Sequence, residues 1–105
     1  MDGYAVYRNR DRRTWRIYPY LVDVQAEVLD GLTTRVVIPL TRASGATRFP
    51  LMHLMPAVTL DNRSYVAMTP QLSAIERSAL GARIGALSAH TRDVESAIGL
   101  LLHGF

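Results

Sequence analysis

Cysteine is absent from this chain of 105 residues, and so is lysine. The first absence excludes disulfides and thiolate metal sites and fits a reducing compartment. The second leaves twelve arginines as the whole stock of permanent side-chain cations. Genome base composition produces such a bias as readily as function does, and a net charge of +3 permits a nucleic-acid or acidic partner without requiring one. No apolar run approaches the roughly 20 residues of a membrane span. The opening MDGYAVYRNR holds no apolar stretch of signal-peptide length, so the expectation is a cytoplasmic protein with no membrane partner. Paired carboxylates, a glycine-rich phosphate loop and a nucleophile elbow are all missing, and His53, His90 and His103 show no metal-ligand spacing. These absences predict no cofactor, no metal and no catalytic residue. The serines lack any motif of nucleophilic catalysis.

What is present is enough to fold. Hydrophobic residues make up 49% and charged residues 20%, which predicts one ordered domain over residues 1–105. GYAVYRNR reads as a first strand and YPYLVDVQAEVLD as the holder of a second. The nearly continuous apolar run TTRVVIPL predicts a central strand that bends or ends at Pro39, which cannot donate a ladder hydrogen bond. TRASGATRFP predicts a loop or one short helical turn. MPAVTLDNRSYVAM reads as a hairpin turned at Asp61-Asn62, two residues that tolerate positive φ. TPQLSAI suits a short further strand, after which Ala, Gly and Ser dominate to Ser88. The last segment predicts a helix, because Leu87, Val94, Ala97, Ile98 and Leu101 recur at helical spacing. Ser88 or Thr91 can cap its start, and Asp93 and Glu95 suit its first turn. Gly99 inside it costs about 1 kcal/mol against alanine, which points to another backbone close by. The fold class is therefore mainly β (α+β): about five short strands in one antiparallel sheet or small barrel, then a C-terminal helix.

Two segments look outward. Arg8, Arg10, Arg12, Arg13 and Arg16 crowd around Asp11 beside Tyr7 and Trp15. Such a set can grip a phosphate backbone and stack a base. It also suits a solvated hairpin tip that protects an edge strand, and the sequence favours that reading over direct nucleic-acid binding. His53, in LMHLM, is expected to be structural, and Met52, Met55 and Met68 to fill the core. The end, GLLLHGF, is unusual because it is apolar where chain ends are commonly polar. A helix C-terminus carries about half a negative charge, to which the α-carboxylate adds a full one. With no arginine after Arg92, the tip is an anionic knob bearing an imidazole and a phenyl ring. That suits a guanidinium, which pairs with carboxylate and stacks on rings. Leu100, Leu101 and Leu102 are expected to hold the helix to the body and to a second subunit.

In the same order from about Val6 to Phe105, YLVDVQAEVLD, RVVIPL, MPAVTLDNRSYVAMTPQLSAI and SAIGLLLHGF resemble the CcdB toxins of plasmid and chromosomal toxin–antitoxin modules. LVDVQ and VIPL are the most specific pieces. The resemblance implies a five-stranded SH3-like barrel with a C-terminal helix, assembled as a homodimer. It implies a plasmid-maintenance toxin that is not an enzyme. Such a toxin binds the A subunit of DNA gyrase, traps the complex in which DNA is cleaved, and is neutralised by the disordered segment of a CcdA antitoxin. By position, the gyrase contacts implied are His103, Gly104 and Phe105, with Gly99 in the helix and Val28 and Leu29 in the loop after the second strand. Tyr7 and Arg8 are implied at the antitoxin surface. In familiar members a tryptophan stands where this chain has His103, and an asparagine where it has Gly99. Phe105 replaces a terminal aliphatic residue.

Two alternatives stay open on the sequence. The related Kid/MazF toxins use the same barrel to cleave RNA, so fold alone does not decide activity. That chemistry needs a base, an acid and a phosphate-binding cation in one groove, and only the arginines are legible here. The other alternative is a diverged, non-toxic homologue that binds only its antitoxin.

Overall fold

The computed structural model describes residues 4–43 and 53–105. The expected loop in TRASGATRFP falls mostly outside them, as does Met52. Seven antiparallel strands form one sheet, against the five or so expected: β1 (Ala5–Asn9), β2 (Tyr20–Asp23), β3 (Thr34–Arg42), β4 (Ala57–Leu60), β5 (Arg63–Ala67), β6 (Ser73–Glu76) and β7 (Leu80–Ala86). Their order is β4-β5-β3-β2-β1-β7, with β6 paired to the first half of β3. The sheet curls into a half-barrel. A Cβ added to Gly85 of β7 would lie 3.2 Å from the Leu60 side chain of β4, so the two ends of the strand order meet across the core. Short 3₁₀ turns at Glu27–Leu29, Thr69–Gln71, Arg77–Ala79 and Ser88–His90 link the strands and lead into the helix α1 (Thr91–His103).

Strand pairing sorts the side chains. Val6, Val22 and Ile38 stand directly opposite one another across β1, β2 and β3 and face inward, all at most 1% exposed. Leu40, Val58, Leu60, Tyr65, Leu87 and Val94 complete this core. Each such side chain contributes about 1.5–3 kcal/mol by leaving water. The helix joins through Val94, Ala97 and Ile98, one face at i, i+3 and i+4. Asp61 and Asn62 turn the β4–β5 hairpin with φ of 51° and 63°, the two positive values a two-residue type I′ turn demands.

Pro39 does not end its strand; β3 runs on to Arg42. The carbonyl of Pro39 accepts from the Met68 amide at 2.9 Å, so its missing donor points to that same side, away from β2. There β6 pairing stops at Val37 and β5 pairing starts at Leu40, leaving a gap in which no ladder donor is needed. The region dominated by Ala, Gly and Ser contains β7, for which no strand was expected. It packs so closely on β1 that a Cβ on Gly81 would lie 3.0 Å from both the Cβ and the carbonyl oxygen of Arg8. β1 is thereby paired on both sides, and the free edge at this end of the sheet belongs to β7. Neither Ser88 nor Thr91 caps α1. The cap position is His90, held instead by its Nε2, which accepts from the Thr59 amide at 3.0 Å, while the Thr91 hydroxyl turns back toward the carbonyls of Leu87 and Ser88. His53 is exposed at a turn rather than buried, and Met55 and Met68 are half-buried beside the core rather than in it.

Candidate functional site: the helix tip and its flanking loop

The helix ends at Gly104, whose φ of 81° is a left-handed cap, with its amide donating to the Leu100 carbonyl at 3.0 Å. This bend folds the terminal residue back along the helix. A Cβ on Gly99 would lie 2.9 Å from the main-chain oxygen of Phe105, closer than packed atoms tolerate. The close backbone that a mid-helix glycine implies is therefore the chain's own end. The carboxylate is drawn down onto the last turn, and the rings project instead. Phe105 is 89% exposed, and its ring lies 6.0 Å from that of His103, with the planes tilted by 34°. His103, Gly104, Phe105 and Gly99 thus form one small clasp, with two neighbouring rings and the main chain of Phe105 turned back onto Gly99. Leu101 and Leu102 beside it are also exposed, while Leu100 is half-buried.

Val28 and Leu29 belong to a separate element, the 3₁₀ turn between β2 and β3, and both face solvent. A polar network that the sequence reading missed holds this loop. Arg35 of β3 and Asp23 of β2 are both buried, and the Arg35 Nε donates to Asp23 Oδ2 at 2.7 Å. That bond holds the Arg35 guanidinium above even its ordinary high pKa. A second arm of Arg35 reaches Asp30 at 3.3 Å. Arg77 lies 3.6 Å from the same carboxylate and also donates to the carbonyls of Asp30 and Leu32. Gln25 accepts from the Val36 amide and donates to Leu29. The signal was one acid at the end of an apolar strand and one base just before another.

A cavity of about 660 Å³ runs from this network to the start of α1, with Tyr7, Arg83 and Glu95 on its walls. Burial pushes the nearby Tyr4 phenol above its usual pKa, and the negative charge of Glu95 pushes the same way. Tyr7 and Arg8 were expected on one surface. As neighbours on a strand they point to opposite faces, Tyr7 into this cavity and Arg8 into a second one. Among the described residues no cluster of His, Asp or Glu could hold a metal, and no helix is long and apolar enough to cross a membrane.

A curled antiparallel half-barrel with one C-terminal helix is shared with two solved toxin structures. A structure described as "Crystal structure of Mtb toxin" matches with a TM-score of 0.61 and 25% identity over 78% of this chain and 89% of its own. A second, "Mycobacterium tuberculosis toxin MazF-mt6", matches with a TM-score of 0.62 and 19% identity over 92% of each chain, which bears on the fold alone. The pattern of the CcdB protein family matches residues 3–104, and the chain belongs to that family. It is a toxin of the toxin–antitoxin class, with an antitoxin as its partner.

Proposed function

We propose that this toxin binds the A subunit of DNA gyrase through its helix tip and holds the enzyme in the state in which DNA is cut. The observation that carries the reading is the exposed clasp of His103 and Phe105, fixed in place by Gly104 and by contact of the chain end with Gly99. An apolar tip left in water costs free energy unless a partner covers it. Two rings and a carboxylate fit an arginine of that partner. The exposed faces of Leu101 and Leu102 suit a second copy of the chain, so that a homodimer presents two tips side by side. Val28 and Leu29 extend the gyrase contact from the loop that Arg35 braces, and a CcdA-like antitoxin covers the Tyr7 side of β1, the opposite face from Arg8. The toxin makes and breaks no bond itself; it acts by occupancy.

The test adds purified protein to gyrase and supercoiled plasmid, then denatures the complex. Linear DNA that depends on both proteins is the expected result. Its absence, together with specific fragments from total RNA, would favour a ribonuclease, for which the likeness to MazF-mt6 offers only shared architecture. Antitoxin binding without either activity would mark a non-toxic homologue.

Two substitutions probe the clasp. Gly99→Ala should raise helix stability by up to about 1 kcal/mol, while its new methyl group displaces the Phe105 carboxylate. Gyrase affinity should fall about tenfold, or about 1.4 kcal/mol. A thermal melt and a binding titration on the same sample would separate the two effects. His103→Trp gives a larger ring for an arginine to stack on. We expect a gain of about 1 kcal/mol, roughly a fivefold lower Kd, with no change in melting temperature.

A further inference from the structure

The second groove, of about 560 Å³, holds four guanidinium groups and no carboxylate. Its walls include Arg8 from β1, Arg10 and Arg12 from the β1–β2 turn, and Arg42 from the far end of β3. Strand register brings them together. Arg8 lies opposite Tyr20, Tyr20 lies opposite Leu40, and Arg42 is two residues beyond Leu40 on the same face. Trp15 forms part of the wall and remains 42% exposed, with the Arg12 guanidinium 5.9 Å from its ring centre. Asp11, the acid of the turn, is paired with Arg13, which points elsewhere. Among the described residues, Arg8, Arg12 and Arg42 form no ion pair, and Arg10 donates only to the Ser78 carbonyl at 3.3 Å.

We propose that this groove binds single-stranded nucleic acid, with backbone phosphates on Arg8, Arg12 and Arg42 and an unpaired base stacked on Trp15. Arg8 and Arg10 lie beside the edge strand β7, but guarding that edge does not account for Arg42 on the interior strand β3 or for the exposed indole. Planar guanidinium groups match phosphate oxygens two at a time. An exposed indole supplies a plane that a base uses in any sequence. An acidic peptide matches the charge but makes no use of the indole. The surface is separate from the helix tip, so the proposal stands or falls independently of gyrase binding.

Trp15 is the sole tryptophan, so its fluorescence reports on the groove directly. Full-length protein would be titrated with 12-nucleotide oligo(dT) and oligo(rU), a 12-base-pair duplex, and polyglutamate, from about 50 mM to 200 mM salt. Quenching by either single strand is expected, and which of the two binds more tightly identifies the sugar. Each of Arg8→Gln, Arg12→Gln and Arg42→Gln should reduce the slope of log affinity against log salt by about 0.7, one phosphate contact on a single strand. Trp15→Leu, followed by anisotropy of a labelled oligo(dT), should weaken binding at least tenfold. Arg63→Gln and Arg92→Gln, exposed arginines outside the groove, should change neither affinity nor slope. Circular dichroism would confirm that every variant folds. The proposal is overturned by no quenching at 50 mM salt or by tighter binding of the duplex. It is equally overturned by preferential binding of polyglutamate, or by equal losses from Arg63→Gln and Arg8→Gln, which would reduce the effect to net charge.

Discussion

Deletion of His103 to Phe105 should abolish gyrase-dependent DNA cleavage while leaving the fold nearly as stable as before. The asymmetry follows from where the helix is anchored. Val94 and Ala97 are buried, Leu87 holds the helix entry in the core, and His90 ties the first turn to β4. None of these contacts involves the last three residues. Truncation removes one capping hydrogen bond, from the Gly104 amide to the Leu100 carbonyl, and an exposed ring pair. We expect a stability loss of about 1 kcal/mol or less, since an intramolecular hydrogen bond contributes about that much net. Binding should suffer far more, because a few central aromatic or charged groups dominate an interface, each worth about 2 kcal/mol or more. Losing two rings and the correctly placed carboxylate should weaken affinity more than a hundredfold. Thermal unfolding, sedimentation and the plasmid-cleavage assay would be run on the same sample. Growth inhibition by the truncated protein equal to that by the full chain would remove the tip from the mechanism.

Arg35→Ala should do the reverse, damaging the fold first. The Asp23 and Arg35 side chains are 9% and 7% exposed, with their closest atoms 2.7 Å apart. Removing one partner of such a pair leaves the other charge buried without compensation, which costs about 3–5 kcal/mol. Total stabilities are about 5–15 kcal/mol, so the variant should sit near the edge of folding at 37 °C. The damage should spread to the loop after β2, because Arg35 also reaches Asp30, and Asp23 accepts from the Gln25 amide. The paired substitution Asp23→Leu with Arg35→Leu removes both charges together and should recover part of the loss. Urea unfolding of the wild type, Asp23→Leu, Arg35→Leu and the paired variant would measure the coupling. A single-mutant loss below about 1 kcal/mol would place the pair among weak surface bridges.

The amino-acid sequence by itself determined the elements whose cause is local. Asp61-Asn62 carries the positive φ of its turn in two residues, the i, i+3, i+4 apolar spacing of α1 carries its buried face, and Gly99 announced a close backbone. His103 to Phe105 and Gly99 were named together through the resemblance, and the structure brings them close because the chain turns back at Gly104. What depends on partners distant in the chain was decided only by the tertiary structure. β7 carried no strand signal because Gly81 and Gly85 are small, and they are small because β1 and Leu60 press against them. Pro39 is tolerated because its neighbour changes from β6 to β5 at that residue. Asp23 finds Arg35, and Arg42 joins Arg8, only through strand register. A single chain displays periods of 2 and 3.6 residues, but which strand lies beside which is settled by burying one common core, a property of the whole assembly that no short window contains.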